Sequence, residues 1–379
     1  MEYEDAYVKF TKTDFSKENL ALDHQLFDSI FRVNGTSPVE ILRHLITLEN
    51  EDVTLVIGDL ELEFPEKYLS RGGLNVVFAT SGTTGNPKII SKDLADLVAG
   101  IKQKKSNSER SLKWGLLYDP TKMAGLQVML SAFIRGEALY CPDATQPISE
   151  RVSYLLERQV NSISATPSMW RALLQVQEFL KLPLIQITLG GERVERALLE
   201  TLKSVFPNAR ITQIYASSEL GVVFTVQDGL EGFPLRFLNT ENEQGCFLKI
   251  DKKGRLKVYR NGQWIDTGDR VELSEERVLF TGRSDQIANV GGVKVDPEKV
   301  RLAIMELPEV LAAVVSAVSN PILGQVLVAE VTLDKSAEIT ELDIKTYLKK
   351  RIERAEMPAV IRILDQISLN SNGKSRLSI

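Results

Sequence analysis

Histidine and cysteine are scarce in this sequence. The 379 residues contain two histidines, His24 and His44, and two cysteines, Cys141 and Cys246. A Ser-His-Asp triad, an HExxH zinc site and a multi-histidine iron site are therefore not supported, and neither is a disulfide framework or a cysteine-based zinc site. We expect a reducing compartment. Any chemistry has to rely on lysine, arginine, carboxylates, hydroxyls and backbone amides.

Excess positive charge and long apolar runs are also missing. The 46 Lys and Arg against 51 Asp and Glu leave a net charge of −5, which argues against nucleic-acid binding driven by bulk charge. The longest apolar stretch near the C-terminus, residues 310–318, is about half of a membrane span and predicts a buried strand. The acidic start of the chain has no signal-peptide pattern. We expect a cytoplasmic protein without a membrane span or a nucleic-acid partner; its oligomeric state stays open.

Alternating apolar and amphipathic segments predict an α/β fold. Strand-like runs recur from residue 74, with helix-like segments between them, at residues 74–79, 112–117, 162–166, 185–189 and 211–215. This alternation is typical of a largely parallel sheet. From about residue 232 short strand-like pieces separated by glycine turns predict antiparallel pairing. We therefore predict a large N-terminal α/β domain, residues 1–282, whose β-rich part spans about 232–282.

The remaining residues, 283–379, predict a small, mobile α+β C-terminal domain. Asp296 and Pro297 offer a helix N-cap and a first-turn proline. Apolar residues follow at helical spacing up to Leu307, and Pro308 should end that helix. Two strands, residues 312–318 and 325–333, should follow. A second helix is predicted from the four-residue spacing of three apolar residues, Ile344, Leu348 and Ile352.

The strongest single feature is a glycine- and hydroxyl-rich loop directly after the strand at residues 76–80. It reads Ser81-Gly82-Thr83-Thr84-Gly85-Asn86-Pro87-Lys88. Its backbone N–H groups and hydroxyls can surround a phosphate, and Lys88 adds positive charge; on composition alone it could also be a flexible turn. It does not have the Walker A pattern. Gly373-Lys374-Ser375 fails that pattern too, because Ser368 stands where its first glycine should be.

Four further motifs follow in order along the chain. They are Tyr215-Ala216-Ser217-Ser218-Glu219, Thr267-Gly268-Asp269, Gly282-Arg283-Ser284-Asp285 with Gly291-Gly292, and Asn372-Gly373-Lys374. Together with the loop, this ordered set resembles the motifs of the adenylate-forming (AMP-binding) enzymes, which include acyl-CoA synthetases, O-succinylbenzoate–CoA ligases, peptide-synthetase adenylation domains and luciferases. The resemblance covers residues from about 75 to 379. Ala216 and Ser218 stand where the family usually has glycine and threonine.

The resemblance implies roles in nucleotide binding. The phosphates would be bound by Thr80, Ser81, Gly82, Thr83, Thr84, Gly85 and Lys88. Tyr215 would stack on adenine, with Gly190, Gly191 and Glu192 forming the adenine-side loop. Asp269 would bind the ribose hydroxyls.

The resemblance also implies catalytic and hinge residues. Ser218 would contact phosphate, Glu219 would hold Mg²⁺, Arg283 would contact the nucleotide and Lys374 would reach into the site during adenylation. Asp285 would be the pivot for rotation of the small domain. Gly291 and Gly292 would face the pantetheine channel.

The activity implied is that of an AMP-forming acid–thiol ligase. A carboxylic acid would be activated by ATP and Mg²⁺ to an acyl-adenylate and transferred to coenzyme A. Three alternatives stay open: delivery to the phosphopantetheine of an acyl carrier protein, a catalytically silent nucleotide-binding protein, and, with nothing in its favour, a luciferase-type oxygenase.

Two departures from the family bear on the acid substrate. Lys122 stands where members often have histidine, and fewer residues than usual precede the phosphate loop, so we expect part of the substrate wall to be missing. Lys122 could pair with a second carboxylate of the substrate or be solvated at the rim. Residues predicted to line the acyl pocket are Met123, Gln127, Ser164, Thr166, Trp170 and Gly190, although Trp170 could equally belong to the core.

Overall fold

The computed structural model describes residues 30–33, 37–58, 72–80, 88–101, 111–370 and 373–378. The chain divides into two compact units. The first unit consists of Met1–Ala165, Val176–Gly191 and Lys203–Thr225, and the second of Thr166–Gln175, Glu192–Leu202 and Val226–Ile379.

A four-stranded sheet lies at the beginning of the first unit. Its strands follow the chain order, β1 (Ile30–Val33), β2 (Thr54–Ile57), β3 (Asn75–Thr80) and β4 (Lys88–Asp93). The first three strands are parallel and β4 runs antiparallel to β3. The nearly uninterrupted apolar sequences of β2 and β3 are buried, as expected of strands covered on both faces. The helices here are α1 (Pro38–Thr47) and α2 (Leu94–Val98).

A six-stranded sheet of the first unit has the order β10-β9-β8-β7-β5-β6. Its strands are β5 (Lys113–Leu116), β6 (Ala138–Tyr140), β7 (Ser162–Ala165), β8 (Gln186–Gly190), β9 (Arg210–Ser217) and β10 (Gly221–Val226). All neighbouring pairs from β6 to β9 are parallel. Between these strands along the chain lie α3 (Met123–Ile134), α4 (Ile148–Glu157), α5 (Pro167–Leu174) and α6 (Arg196–Val205). The predicted α/β core with largely parallel pairing is thus found.

The second unit contains the predicted antiparallel region. Its five strands are β11 (Phe233–Pro234), β12 (Phe247–Ile250), β13 (Arg255–Arg260), β14 (Gln263–Ser274) and β15 (Arg277–Arg283), in the order β11-β15-β14-β13-β12. Every neighbouring pair is antiparallel. The Thr267-Gly268-Asp269 motif lies inside β14 rather than in a turn.

A second sheet of this unit carries two helices. Its strands are β16 (Ala288–Val290), β17 (Val293–Val295), β18 (Val310–Asn320), β19 (Gly324–Leu333) and β20 (Val360–Ile363), and the helices are α7 (Pro297–Met305) and α8 (Glu341–Leu348). Strand β19 pairs with β16, β18 and β20. An apolar core joins both helices to the sheet, with Val300, Ile304, Ile344 and Leu348 fully buried.

The ends of the two helices test the predicted boundaries. The Asp296 side chain accepts a hydrogen bond of 3.0 Å from the backbone N–H of Glu298, so α7 begins where its cap predicts. It ends at Met305, before Pro308 is reached. The predicted extension of α8 to Ile352 is wrong, because the helix ends at Leu348 and Ile352 lies beyond the turn that follows.

The division into residues 1–282 and 283–379 stays a prediction. Within the second unit the sheet of β11 to β15 ends at Arg283 and the sheet of β16 to β20 begins at Ala288. In the described part of the chain no helix is long and apolar enough to cross a lipid bilayer.

Candidate functional site

The glycine-rich loop joins two antiparallel neighbours in the first unit. Thr80 at the end of β3 lies opposite Lys88 at the start of β4, and the Thr80 hydroxyl donates a hydrogen bond of 3.3 Å to the Lys88 carbonyl. The predicted phosphate-binding residues Ser81, Gly82, Thr83, Thr84 and Gly85 lie outside the described residues. The structure therefore places the two ends of the loop side by side.

Lys88 and Glu219 come from motifs far apart in sequence and meet in space. Lys88 Nζ lies 2.5 Å from Glu219 Oε1, with 59% and 48% of the two side chains exposed. So exposed a pair contributes only about 0–1 kcal/mol to stability. The fold therefore does not depend on this pair, which lies where the glycine-rich loop ends at Lys88.

The Glu219 carboxylate is ionised at neutral pH. Partial burial raises the pKa of Glu219, but hydrogen bonds from Lys88, its own backbone N–H and Ser217, together with the charge of Lys88, outweigh burial and lower the pKa below its ordinary value. Two oxygens carrying negative charge are thus available for a cation at the carboxyl end of β9.

Lys92 joins this site and was missed from the sequence. Its Nζ donates a hydrogen bond of 2.6 Å to the backbone carbonyl of Glu219. Lys88 and Lys92 stand four residues apart on β4, and side chains at even spacing point to the same face of a strand. That spacing is the signal in the sequence that points to Lys92, which lies four residues beyond the end of the glycine-rich motif.

The other nucleotide-binding candidates of the first unit lie at one edge of its parallel sheet. Gly190 at the end of β8 pairs with Ile214 on β9, the residue just before Tyr215. Because carboxyl ends of parallel strands meet at one edge, Gly190, Gly191 and the Tyr215 motif fall together there. The Tyr215 ring stacks on Phe224, with centroids 4.9 Å apart and planes at 18°. Ser218 is half-buried in the turn that follows β9.

In the second unit Arg283 connects the ribose and hinge candidates. Asp269 on β14 and Arg283 on β15 are direct cross-strand partners. Arg283 Nη1 donates to Asp269 Oδ1 at 3.0 Å, and its Nε and Nη2 donate to the two oxygens of Asp285 at 2.9 and 3.0 Å. The structure thus brings three predicted residues together, with the guanidinium between two carboxylates.

The segment that carries Lys374 lies against the N-terminus of α5. The Thr166 hydroxyl donates a hydrogen bond to the Gly373 carbonyl, and the Ser375 hydroxyl lies 2.7 Å from that of Ser168. Gly373 has a φ of +69°, and a Cβ on it would lie 3.3 Å from both Met169 Cε and Thr166 Oγ1. Glycine is therefore required beside Lys374 for its backbone conformation and for the close approach to α5.

Glu192 and the Gly291–Gly292 pair, also predicted to belong to the site, make hydrogen bonds within the second unit. The Glu192 carboxylate accepts a hydrogen bond of 2.9 Å from the backbone N–H of Ser168, at the positive end of α5. Gly291 and Gly292 form the two-residue turn between β16 and β17, and the Gly291 N–H donates to the Leu323 carbonyl at 2.9 Å.

The residues predicted to line the acyl pocket differ in burial and in their hydrogen-bond partners. Trp170 is fully buried on α5, as its interpretation as a core residue requires. Gln127 donates a hydrogen bond of 2.9 Å to the Leu97 carbonyl, which gives it a structural partner. Lys122 is half-buried and stands at the N-cap of α3.

Known proteins resemble this chain in sequence and in fold. The model of the AMP-binding enzyme family matches residues 31–246, and that of the AMP-binding enzyme C-terminal domain matches residues 302–374. A 2-succinylbenzoate–CoA ligase from Bacillus velezensis is 26% identical over 84% of this chain and 70% of its own length. Tyrocidine synthase 3 from Brevibacillus parabrevis is 24% identical over 79% of this chain, which spans 5% of that synthase.

Solved structures agree on the fold. An O-succinylbenzoate coenzyme A synthetase (MenE) from Bacillus subtilis, in complex with ATP and magnesium ion, has a TM-score of 0.62 at 18% identity and covers 92% of this chain and 88% of its own. The predicted fold class and the predicted enzyme class, that of the AMP-forming acid–thiol ligases, are confirmed at the level of the family. Because its family model spans more than half of the sequence, this chain belongs to the AMP-binding enzymes.

Proposed function

We propose that this chain activates a carboxylic acid with ATP and transfers the acyl group to the thiol of coenzyme A. In the first step a carboxylate oxygen attacks the α-phosphorus, an O–P bond forms, the bond to pyrophosphate breaks, and acyl-adenylate and pyrophosphate result. In the second step the thiolate attacks the acyl carbon, a C–S bond forms and AMP leaves. The observation that carries the proposal is the exposed Lys88–Glu219 pair beside the phosphate loop.

The residues of the first unit would bind the triphosphate and adenine. Thr80, the loop at residues 81–85 and Lys88 would hold the phosphates, Ser218 would add a hydroxyl, and Tyr215 with Gly190 and Gly191 would receive adenine. Negative charge builds on the phosphate oxygens during transfer. N–H groups of the loop and a lysine aimed at those oxygens would stabilise such charge without reorganisation.

Glu219 fits a magnesium ion that arrives with ATP. Mg²⁺ usually keeps several waters and is held by one or two carboxylates plus substrate phosphates. Glu219 is a half-exposed, ionised carboxylate, and no cluster of three or more acidic, histidine or cysteine side chains able to hold a metal occurs among the described residues. Mg²⁺ would neutralise charge on the phosphates, acting as a Lewis acid.

The residues of the second unit would complete the chemistry. Asp269 would bind the ribose hydroxyls, Glu192 would belong to the adenine-side loop, and Arg283 would contact the nucleotide while holding Asp285 at the hinge. Lys374 would stabilise the charge of adenylation, and the turn of Gly291 and Gly292 would admit pantetheine. A thiol has an ordinary pKa of about 8.5, so transfer needs no strong base, which agrees with the scarcity of histidine.

A second acceptor is favoured by one specific observation. Tyrocidine synthase 3 is among the relatives that match most of this chain, and the adenylation domains of peptide synthetases belong to the family that the motifs resemble. The same acyl-adenylate would then be delivered to the phosphopantetheine of an acyl carrier protein. For the acid itself, the ligases of 2-succinylbenzoate among the relatives support an aromatic acid, with Lys122 near a second carboxylate.

Both the activity and the acid class are tested by pyrophosphate exchange. We expect ATP–pyrophosphate exchange with Mg²⁺ to depend on one class of a panel of aryl, alkyl and amino acids, followed by thioester formation with coenzyme A or with a pantetheinylated carrier protein. If Lys122 pairs with a second carboxylate, Lys122→Ala should lose the preference for aromatic diacids over their mono-acid analogues. Measurable ATP binding without exchange for any acid would contradict the proposed activity.

Lys92 should contribute to the same step. Because it holds the backbone of Glu219 by a charge-assisted hydrogen bond, its loss should lower kcat/KM of adenylation on the order of 10-fold, the equivalent of about 1.5 kcal/mol. The measurement compares exchange rates of Lys92→Met and Lys203→Met, the latter an exposed lysine on α6. Equal rates for both variants would exclude this role.

A further inference from the structure

Helix α7 is tied by ion pairs to segments that precede the hinge candidate Asp285. Asp296, its N-cap residue, pairs with Arg270 of β14. Arg301, one and a half turns further on, pairs with Glu195, which also accepts a hydrogen bond of 2.5 Å from Arg171 of α5. These two contacts, Arg270–Asp296 and Glu195–Arg301, are here named the α7 ion pairs.

The Glu195–Arg301 pair is well buried and remains ionised. The exposed fractions are 14% for the Arg301 side chain and 11% for that of Glu195. Burial raises the pKa of Glu195, but Arg301 and Arg171 outweigh it and lower the pKa below its ordinary value. Burial lowers the pKa of Arg301, but the hydrogen bonds and negative charges of Glu298 and Glu195 outweigh burial and raise the pKa above its ordinary value.

Burying such charges costs free energy, which argues that the pair serves to select one conformation of the chain and not to stabilise it. Replacing a buried ion pair with apolar residues is often neutral or stabilising, and the best-attested use of such pairs is to select one arrangement over others. The other of the α7 ion pairs, Arg270–Asp296, is packed closely against Gly282. The φ of Gly282 is +135°, and a Cβ on it would lie 3.0 Å from Arg270 Nη2 and 3.2 Å from Asp296 Oδ2.

A chain of packed and hydrogen-bonded elements connects α7 to Lys374. Helix α7 packs in one apolar core with β18 and β19. On β19 the fully buried Glu330 accepts hydrogen bonds from the backbone N–H of Ser378 at 2.9 Å and from its hydroxyl at 3.0 Å. Lys374 lies four residues before Ser378. Its neighbours Gly373 and Ser375 contact Thr166, the N-cap of α5, and Ser168 on α5, the helix that also provides Arg171.

We propose that the α7 ion pairs position Lys374 for adenylation. Their four residues touch no reacting atom; they hold α7, and through β19 and Ser378 the Lys374 segment, against the N-terminus of α5. This inference rests on the proposed function, because it assigns the pairs to the first of its two half-reactions. Transfer of the acyl group to the thiol does not depend on them.

The test separates the two half-reactions in the full-length chain. Asp296→Asn removes one charge while asparagine still caps α7, and Arg301→Gln removes the other link while Glu195 keeps Arg171. Arg351→Gln is the matched control, since Arg351 pairs with Glu306 at 3.3 Å on an exposed surface. Adenylation is followed by ATP–pyrophosphate exchange with the acid that gives the fastest wild-type exchange, and transfer by thioester formation from pre-formed acyl-adenylate.

Misplacing a reacting group by about 1 Å can cost 100-fold, so we expect kcat of exchange to fall about 10- to 100-fold in Asp296→Asn and Arg301→Gln. The KM for the acid and the rate of transfer should stay within about twofold of wild type, and Arg351→Gln should match wild type throughout. Wild-type exchange rates in both variants would overturn the inference, as would an equal loss in both half-reactions. A wild-type chain without exchange for any acid would overturn the proposed function and the inference with it.

Discussion

Lys374→Ala is expected to slow adenylation about 10²- to 10³-fold, the effect of deleting one preorganised donor to a developing oxyanion. Under the proposed function, the charge that appears on the α-phosphate and on pyrophosphate would lose the cation that Lys374 supplies. Lys374 is half-buried, and its backbone is held by hydrogen bonds to Asn370 at 3.0 and 2.9 Å. The variant should therefore change the chemistry and leave the fold intact.

The measurement is the kcat of ATP–pyrophosphate exchange, with thioester formation from pre-formed acyl-adenylate as a second readout. Transfer should stay close to the wild-type rate, because the phosphate chemistry is complete before the thiol attacks. Lys350→Ala, at an exposed lysine just after α8, controls for loss of one positive charge in the same unit. Exchange at the wild-type rate in Lys374→Ala would remove Lys374 from the mechanism.

Glu195→Gln is expected to destabilise the protein by about 3–5 kcal/mol at neutral pH, the cost of breaking a buried ion pair from one side. The substitution leaves two largely buried guanidinium groups, Arg171 and Arg301, without their shared carboxylate. Glu200→Gln provides the control, because Glu200 pairs with Arg196 at 2.7 Å with both side chains mostly exposed. A pair so exposed contributes about 0–1 kcal/mol.

The pH dependence of this difference has a definite sign. The pKa of Glu195 is lower in the folded protein than in the unfolded chain, so its contribution is complete above the unfolded pKa and is lost as the pH falls through the folded pKa. Urea unfolding of wild type and Glu195→Gln should show a constant difference near neutrality that shrinks in acid, below the ordinary glutamate range. A difference that stays unchanged as the pH falls below that range would contradict the charge-based explanation.

Local patterns predicted most elements of the fold. The cap of α7 at Asp296 and Pro297 was correct because a short polar acceptor and a missing N–H act within one turn. Strand β3 was visible as a buried apolar run, and β7 was predicted although two of its four buried residues are serines. Ile352 was misassigned because its spacing continues the apolar pattern of α8 after the backbone has left the helix.

Most of the candidate site residues could be recognised from local sequence motifs. Lys88, Glu219, Asp269, Arg283, Asp285 and Lys374 belong to motifs that the sequence spells out, and their assigned roles stay predictions. Lys92 has no such motif. Its contact with the carbonyl of Glu219 exists because β4 and the end of β9 approach one another, and the two residues are 127 positions apart.

By itself, the sequence determined the family and most of the strands and helices from residue 74 onward, because these depend on residue type and short spacing; β1, β2, β4 and β10 were not predicted. Only the tertiary structure decided that Glu195 pairs with both Arg171 and Arg301 and that Gly373 packs against Met169. Those contacts join α5, α7 and the C-terminal segment. Their partners are chosen by packing and by the need to neutralise buried charge, which no local pattern along the chain records.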